Sequence, residues 1–276
     1  MKAVWLTDIH LVFLRDPKSG EFDSEYFTFV SEVASLLPDC ILITGDIGES
    51  PEVVRFLHDL ATRFDCPIYF ILGNHDFYRS SIAATRKAVE VGIEAQSRLV
   101  YLTIRGPVGL TSGVGLIGHD GWPDGRDGDY GCDGRQDLFN DFKYIEELKV
   151  AGKDPDYDRW PILKRLADEA VTHLEANLVS AVQQYRKVFV LTHFPPFRQA
   201  AFLKGRMVDA QQASRCVSKA VGDLLMRVAE ENPDNQFTVL CGHMHSKAYY
   251  SPRENLVVHA GAATYGSPEV SAIFDF

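Results

Sequence analysis

Short, almost purely apolar runs recur along the chain, and each stops abruptly at polar or glycine residues. They are "AVWL" from Ala3, "CILI" from Cys40, "IYFIL" from Ile68, "LVYLTI" from Leu99, "GVGLIG" from Gly113, "VFVLT" from Val188, "FTVLC" from Phe237, "LVVHA" from Leu256 and "VSAIF" from Val270. Their length and their Val, Ile and Phe content predict β-strands, and the lack of apolar–polar alternation predicts strands buried on both faces. Between them the apolar spacing changes to that of helices. From Tyr26 to Leu37 apolar residues fall at Phe29, Val33, Leu36 and Leu37. A second stripe, Val53, Leu57, Leu60 and Phe64, follows Pro51, with Ser50 placed to cap the helix. Longer patterns run from Ile162 to Tyr185 and from Ala213 to Glu230. These stripes are read as core faces. Strands alternating with helices predict an α/β fold, and no internal repeat is present.

One stretch breaks this rhythm. Between His119 and Trp160 the chain is dense in Gly, Asp and aromatic residues, including "HDGWPDGRDGDYGCDGRQDLFNDFKY". Loops of this length inside a compact domain are usually functional, so the expectation is a single domain over 1–276 carrying an elaborated loop at about 119–160. Its aromatics, Trp122, Tyr130, Phe139 and Trp160, are read either as a lid over substrate or as a structural flap.

Composition narrows the function. With 46% apolar residues, 17 Phe and 11 Tyr, the chain can fill a large core. The net charge of −10 works against an extended nucleic-acid substrate, whose phosphates need Lys and Arg, but leaves a small phosphorylated substrate open. No apolar run approaches the roughly 18 residues of a membrane span, and "MKAVWLTDIH" reads as a strand rather than a removable leader. The cysteines at 40, 66, 132, 216 and 241 form no CxxC pair. Cys40, Cys66 and Cys241, beside or within apolar runs, are read as buried thiols; neither a zinc knuckle nor a disulfide framework is indicated, and a reducing cytoplasm fits.

The residues just past the apolar runs carry the chemistry. After "AVWLT" come Asp8 and His10; after "CILITG", Asp46; after "IYFILG", Asn74, His75 and Asp76. After "VFVLT" comes His193, and after "FTVLCG" come His243 and His245. Five runs thus end in nitrogen or oxygen donors. Strand carboxyl ends are where the loops of α/β sheets converge on a site. Each motif alone has an ordinary explanation: a Gly-Asp turn, a loop histidine, a solvated pair. Alternate residues of an extended segment point the same way, so His243 and His245 can face one site.

Together the motifs "DIH", "GD" at Gly45, "GNHD", "TH" at Thr192 and "GHMH" resemble the signature of the calcineurin-like metallophosphoesterases, spread over residues 8 to 245. The resemblance implies a central β-sandwich of two mixed sheets flanked by helices, in four αββα layers, and a two-metal site for phosphate-ester hydrolysis. Carried over by position, Asp8, His10, Asp46 and His245 hold one metal, and Asp46, Asn74, His193 and His243 the other, with Asp46 bridging. Neighbouring dications need such an anionic bridge, and imidazole, carboxylate and amide oxygen without thiolate suit Mn²⁺, Fe or Zn²⁺. The implied reaction is attack of a metal-bound hydroxide on the phosphate, with His75, the non-ligand histidine, acting as an imidazolium on the leaving oxygen. Asp76 is read either as the carboxylate that orients His75 or as a turn or N-cap residue. Arg198, in "THFPPFR", is read as a phosphate contact or a solvated surface residue. His119 and Asp120 lie near the motifs without being needed by them, and His58, His173 and His259 are read as structural. Three readings of the whole remain: a phosphoesterase on a small or protein-borne ester, a cyclic-nucleotide phosphodiesterase or nuclease on the same scaffold, and a non-catalytic binding module.

Overall fold

The computed structural model describes residues 1–16, 18–128, 139–149 and 155–276, of which 155–158 without their side chains. Its strands are β1 (Lys2–Leu6), β2 (Cys40–Thr44), β3 (Ile68–Ile71), β4 (Leu99–Tyr101), β5 (Val108–Thr111), β6 (Val114–His119), β7 (Lys187–Thr192), β8 (Phe202–Leu203), β9 (Arg206–Met207), β10 (Gln236–Cys241), β11 (Ala248–Arg253), β12 (Leu256–Ala260) and β13 (Ala272–Asp275). The helices are α1 (Ser24–Ser35), α2 (Val53–Arg63), α3 (Ile82–Gly92), α4 (Asp141–Tyr144), α5 (Pro155–Gln184), α6 (Ala210–Cys216) and α7 (Lys219–Glu231). One sheet has the order β13-β1-β2-β3-β4 and the other β11-β12-β10-β7-β6-β5. Strands β1 to β4 run parallel, as do β6, β7, β10 and β12; the antiparallel members β13, β5 and β11 are edge strands.

The apolar runs do not alternate because both faces of each sheet are covered. Side chains point to opposite faces at successive positions. Val4, Leu6, Ile41, Ile43, Ile68 and Phe70 therefore pack beneath α1, α2 and α3, against Tyr26, Phe29, Phe56, Leu60 and Val89. Their neighbours Trp5, Leu42, Tyr69 and Ile71 face the second sheet and meet Leu116, Phe189, Leu191 and Leu240 there. On the far side Val188, Val190, Val239 and Val258 join Leu174 and Leu178 of α5 and Val221, Leu225 and Val228 of α7. The result is helix, sheet, sheet, helix, as expected from the resemblance. At roughly 1.5–3 kcal/mol for each fully buried large aliphatic or aromatic side chain, this burial is what holds the two sheets together.

Several boundaries differ from the sequence reading. "LVYLTI" is strand only to Tyr101; Leu102–Ile104 turns as a 3-10 helix. The helix after Pro51 begins at Val53, and its N-cap position is Glu52, so Ser50 does not cap it. The stretch from Ala213 to Glu230 is two helices, α6 and α7, split where the Ser218 N–H turns away to donate to the Pro195 carbonyl (2.9 Å). Helix α5 starts before Ile162 and accommodates Pro161. Of the 119–160 loop, Tyr130 and Cys132 lie outside the described residues. No helix among the described residues is long and apolar enough to cross a membrane.

Candidate metal centre

Because β1, β2 and β3 are parallel and β7 and β10 are parallel, the motif loops leave both sheets at one edge. Backbone bonds carry the pairing past the strand ends: Asp8 N–H donates to the Gly45 carbonyl (3.1 Å), His10 N–H to Asp46 (2.9 Å) and Gly242 N–H to His193 (2.9 Å). Eight non-glycine residues among those described have positive φ, and five of them are Asp8, His10, Asp46, His243 and His245. Left-handed backbone costs roughly 1–2 kcal/mol per L-residue, so strain is concentrated at the motif residues. The motif glycines have a steric reason. A Cβ on Gly73 would lie 2.2 Å from Asp46 Oδ1, and one on Gly242 would lie 2.1 Å from Thr7 Oγ1 and 2.2 Å from Asp8 Oδ2.

Asp8, His10, Asp46 and His245 bring donor atoms within 4.8 Å of one another. His10 Nε2 stands 3.1 Å from His245 Nε2 and 3.7 Å from Asp46 Oδ2, and His245 Nε2 stands 3.4 Å from Asp8 Oδ1. Thr7 Oγ1 and the His243 N–H donate to the Asp8 carboxylate at 2.6 and 3.0 Å, aiming it at the cluster. Burial opposes ionisation of Asp8, but hydrogen bonding to His245 and the surrounding imidazoles outweigh it and hold the carboxyl well below its usual range.

Beside this cluster lies a second. His193 Nδ1 is 2.8 Å from the Thr44 carbonyl oxygen. A carbonyl only accepts, so Nδ1 carries the proton and Nε2 presents a lone pair. That Nε2 lies 2.9 Å from Asn74 Oδ1. The Asn74 amide is oriented by its Nδ2, which donates to Asp141 Oδ1 (2.8 Å) and Tyr78 Oη (3.3 Å). Two acceptors therefore face each other in a buried site. Proton sharing does not resolve the conflict, since burial pushes the His193 pKa down; a cation does. His243 Nδ1 adds a further donor 3.1 Å from Asn74 Oδ1.

Asp46 links the two groups, its Oδ2 facing His10 and its Oδ1 3.5 Å from His193 Nε2. Burial and then the charges of Asp8 and Asp76 raise its pKa well above the ordinary value, a penalty that bound dications would remove. The nitrogen and oxygen donors thus fit divalent metals at both positions.

The other residues singled out from the sequence fall in varied places. The His75 N–H donates to Asp46 Oδ1 (2.9 Å), and its ring packs 4.6 Å from His10 and 4.3 Å from Tyr78 between centroids. His75 Nδ1 is buried without a partner among the described residues. Burial above all lowers its pKa to about 4. Asp76 does not bond to the His75 ring. Its oxygens accept from the Gly48 N–H (2.7 Å) and Gly73 N–H (2.8 Å), stitching the β2 and β3 loops together. Arg198 is paired with Asp127. Trp122 is 1% exposed in the core, against Phe77 and Phe194, and offers no face to a ligand. Asp120 accepts from Leu72 N, Tyr101 Oη, Thr103 Oγ1 and Arg86 Nε, while its carbonyl holds His193 N. It braces the loops from below.

Asp141 and Tyr265 were not anticipated. Asp141 lies in an Asp-rich stretch where nothing sets one carboxylate apart. Tyr265, whose ring lies 4.6 Å from His10 and 4.9 Å from His245, comes after the last motif and has no signal of its own.

A mixed sandwich whose strand-end loops gather carboxylates and imidazoles is the architecture of a metal-dependent hydrolase of phosphoester bonds. The sequence matches the calcineurin-like phosphoesterase family over residues 1–247, and the chain belongs to that family. Among curated proteins none matches. Phosphopantetheinyl hydrolase from Mycobacterium tuberculosis has a similar structure, with TM-score 0.65 and 15% identity over 96% of this chain and 90% of that one. A dimetal phosphatase from Danio rerio matches with TM-score 0.58 and 11% identity, over 96% of this chain and 88% of that one. TT1561 of Thermus thermophilus matches with TM-score 0.53 and 11% identity, over 96% and 90%. At these identities the likeness is one of fold.

Proposed function

We propose that this chain is a binuclear phosphoesterase acting on a small or protein-borne phosphate ester. Asp8, His10, Asp46 and His245 hold one divalent ion; Asp46, Asn74, His193 and His243 hold the other. The observation that carries this reading is the opposed pair His193 Nε2 and Asn74 Oδ1, 2.9 Å apart with no proton between them. When bound, the ions supply Lewis acidity toward the phosphoryl oxygens and acidify a water to a pKa of about 7. The protein's part is to fix the donors on strained, glycine-hinged turns, so that little rearrangement is left to the reaction. His75 flanks the first cluster without joining it. The negative charge of an arriving phosphate favours a proton taken from solvent onto the His75 ring, which then delivers it to the departing ester oxygen. Asp76 sets the height of the His75 loop through Gly73. We read the chain as one domain, and its Cys40, Cys66, Cys216 and Cys241, all free and buried, agree with a reducing compartment such as the cytoplasm.

The test is a panel assay of the Mn²⁺-loaded protein on p-nitrophenyl phosphate, bis-p-nitrophenyl phosphate and cyclic nucleotides, alongside Asp46→Asn. Monoester turnover that disappears with Asp46→Asn is expected. Preference for the diester or the cyclic substrates would move the reaction to phosphodiester cleavage. A metal-loaded protein inert toward the whole panel would leave only a binding role.

A further inference from the structure

Both histidines of the "GHMH" motif also border a cleft of about 340 Å³, within the size range of small-ligand pockets. The rest of its wall is mainly apolar: Phe139, Leu203, Val208, Met244 and the ring of Tyr265. Of its polar members, Gln212 Oε1 accepts from the Asp209 N–H (3.1 Å) and the Cys216 thiol donates to the Gln212 backbone carbonyl (3.1 Å). Among the described residues the lining contains no Lys, Arg, Asp or Glu, and the Cys216 thiol is pushed up to about 12, by burial above all. Beneath lies a small core of its own, in which Val208, Ala213, Cys216 and Val217 pack with Met244. At the rim Leu203 and Tyr265 keep about half of their surface in water, 43% and 50%.

Tyr265 joins this cleft to the reacting centre. Its ring lies 6.1 Å from that of His75 and 4.9 Å from that of His245. A group departing on the His75 side therefore runs along Tyr265 into the cleft. Resting on the phosphoesterase reading above, we propose that the cleft is the subsite for the alcohol part of the substrate, and that this part is an uncharged apolar chain or ring. Away from the two histidines, a second phosphate or a carboxylate would meet no Lys or Arg among the described lining residues, whereas an aliphatic or aromatic stem covers Leu203, Val208, Met244 and Tyr265 together.

The experiment uses the Mn²⁺-loaded enzyme and two homologous series, alkyl phosphates and alkylphosphonates, each from ethyl to hexyl, with glycerol phosphate as a polar counterpart of the propyl ester. kcat/KM for the esters and, by calorimetry, affinity for the phosphonates are expected to climb roughly fourfold per buried methylene. Propyl phosphate should outrun glycerol phosphate. In Leu203→Asp, a change at a half-exposed position checked by thermal melting, the hexyl-to-ethyl ratio should fall at least tenfold in both readouts. Turnover with flat phosphonate affinity would overturn the subsite and leave the phosphoesterase intact. Rising phosphonate affinity without turnover of any ester would do the reverse. A chain-length gain undiminished in Leu203→Asp, or no phosphonate binding at all, would also overturn the subsite.

Discussion

Replacing Asp141 with alanine should loosen one metal position and spare the other. Asp141 touches neither His193 nor His243, yet it fixes which end of the Asn74 amide they face. Asn74 Nδ2 donates to Asp141 Oδ1 at 2.8 Å and more weakly to Tyr78 Oη at 3.3 Å, and Tyr78 itself leans on Asp141 at 2.7 Å. Without the carboxylate the amide gains by rotating half a turn. Its N–H groups then donate to His193 Nε2 and His243 Nδ1, which stand 2.9 and 3.1 Å from the present Oδ1. A metal must reverse that rotation. The cost is about that of one charge-assisted hydrogen bond, roughly 1.5–3 kcal/mol, which weakens binding by about 10- to 150-fold. Manganese titration by calorimetry, with metal content after gel filtration, reads both positions. The Asp8–His10–Asp46–His245 position should hold its affinity within about twofold while the other weakens by that factor. Asp141→Asn, which keeps an oxygen acceptor, should recover most of the loss. Equal weakening of both positions, or of neither, would refute the reasoning.

Other outcomes rest on the same geometry. His75→Gln should lower kcat by about 10²–10³-fold with both metals retained; loss of metal would reassign His75 as a ligand. Gly242→Ala drives a methyl against Thr7 and the Asp8 carboxylate, an overpacking of about 1–3 kcal/mol. Differential scanning calorimetry should show a Tm lower by roughly 3–10 °C, and an unchanged melt would mean that the turn yields freely. His119, lowered to about 3, first of all by burial, stays neutral in the fold while the unfolded chain takes up its proton below about pH 6.5. Stability from this group is therefore present above that value and lost as pH falls toward 3. Between pH 6 and 5, urea unfolding of the native sequence should lose up to about 1.4 kcal/mol more than His119→Gln does, and parallel pH profiles would contradict the assignment.

What the sequence could announce depended on how many neighbours constrain each residue. Central strands such as Cys40–Thr44 are buried throughout and read plainly as apolar runs. Edge strands β5 (VGLT) and β11 (AYYSPR), half-exposed along their length, contain Gly, Pro or polar residues and gave no comparable run. Helix α3 went unread because only Ile82, Thr85 and Val89 of its residues are buried. Within the site, donors at strand ends were legible because motif spacing is set by strand geometry. The partner of Asp76 was not, because a carboxylate beside a histidine and one clasping two backbone N–H groups look the same in one dimension. Trp122 carried the same ambiguity: an aromatic in a glycine-rich stretch serves equally as a lid or as a wedge, and only the packing of Phe77 and Phe194 decides.

The donors are drawn from both sheets and from positions 8 to 245. A chain emerging from the ribosome amino end first carries Asp8, Asp46 and Asn74 long before His243 and His245 exist to meet them. Ion capture by the proposed full set of donors would thus have to wait until His245 has been made and the two sheets have met. On the proposed reading, a loaded centre would be a receipt for the meeting of the two sheets.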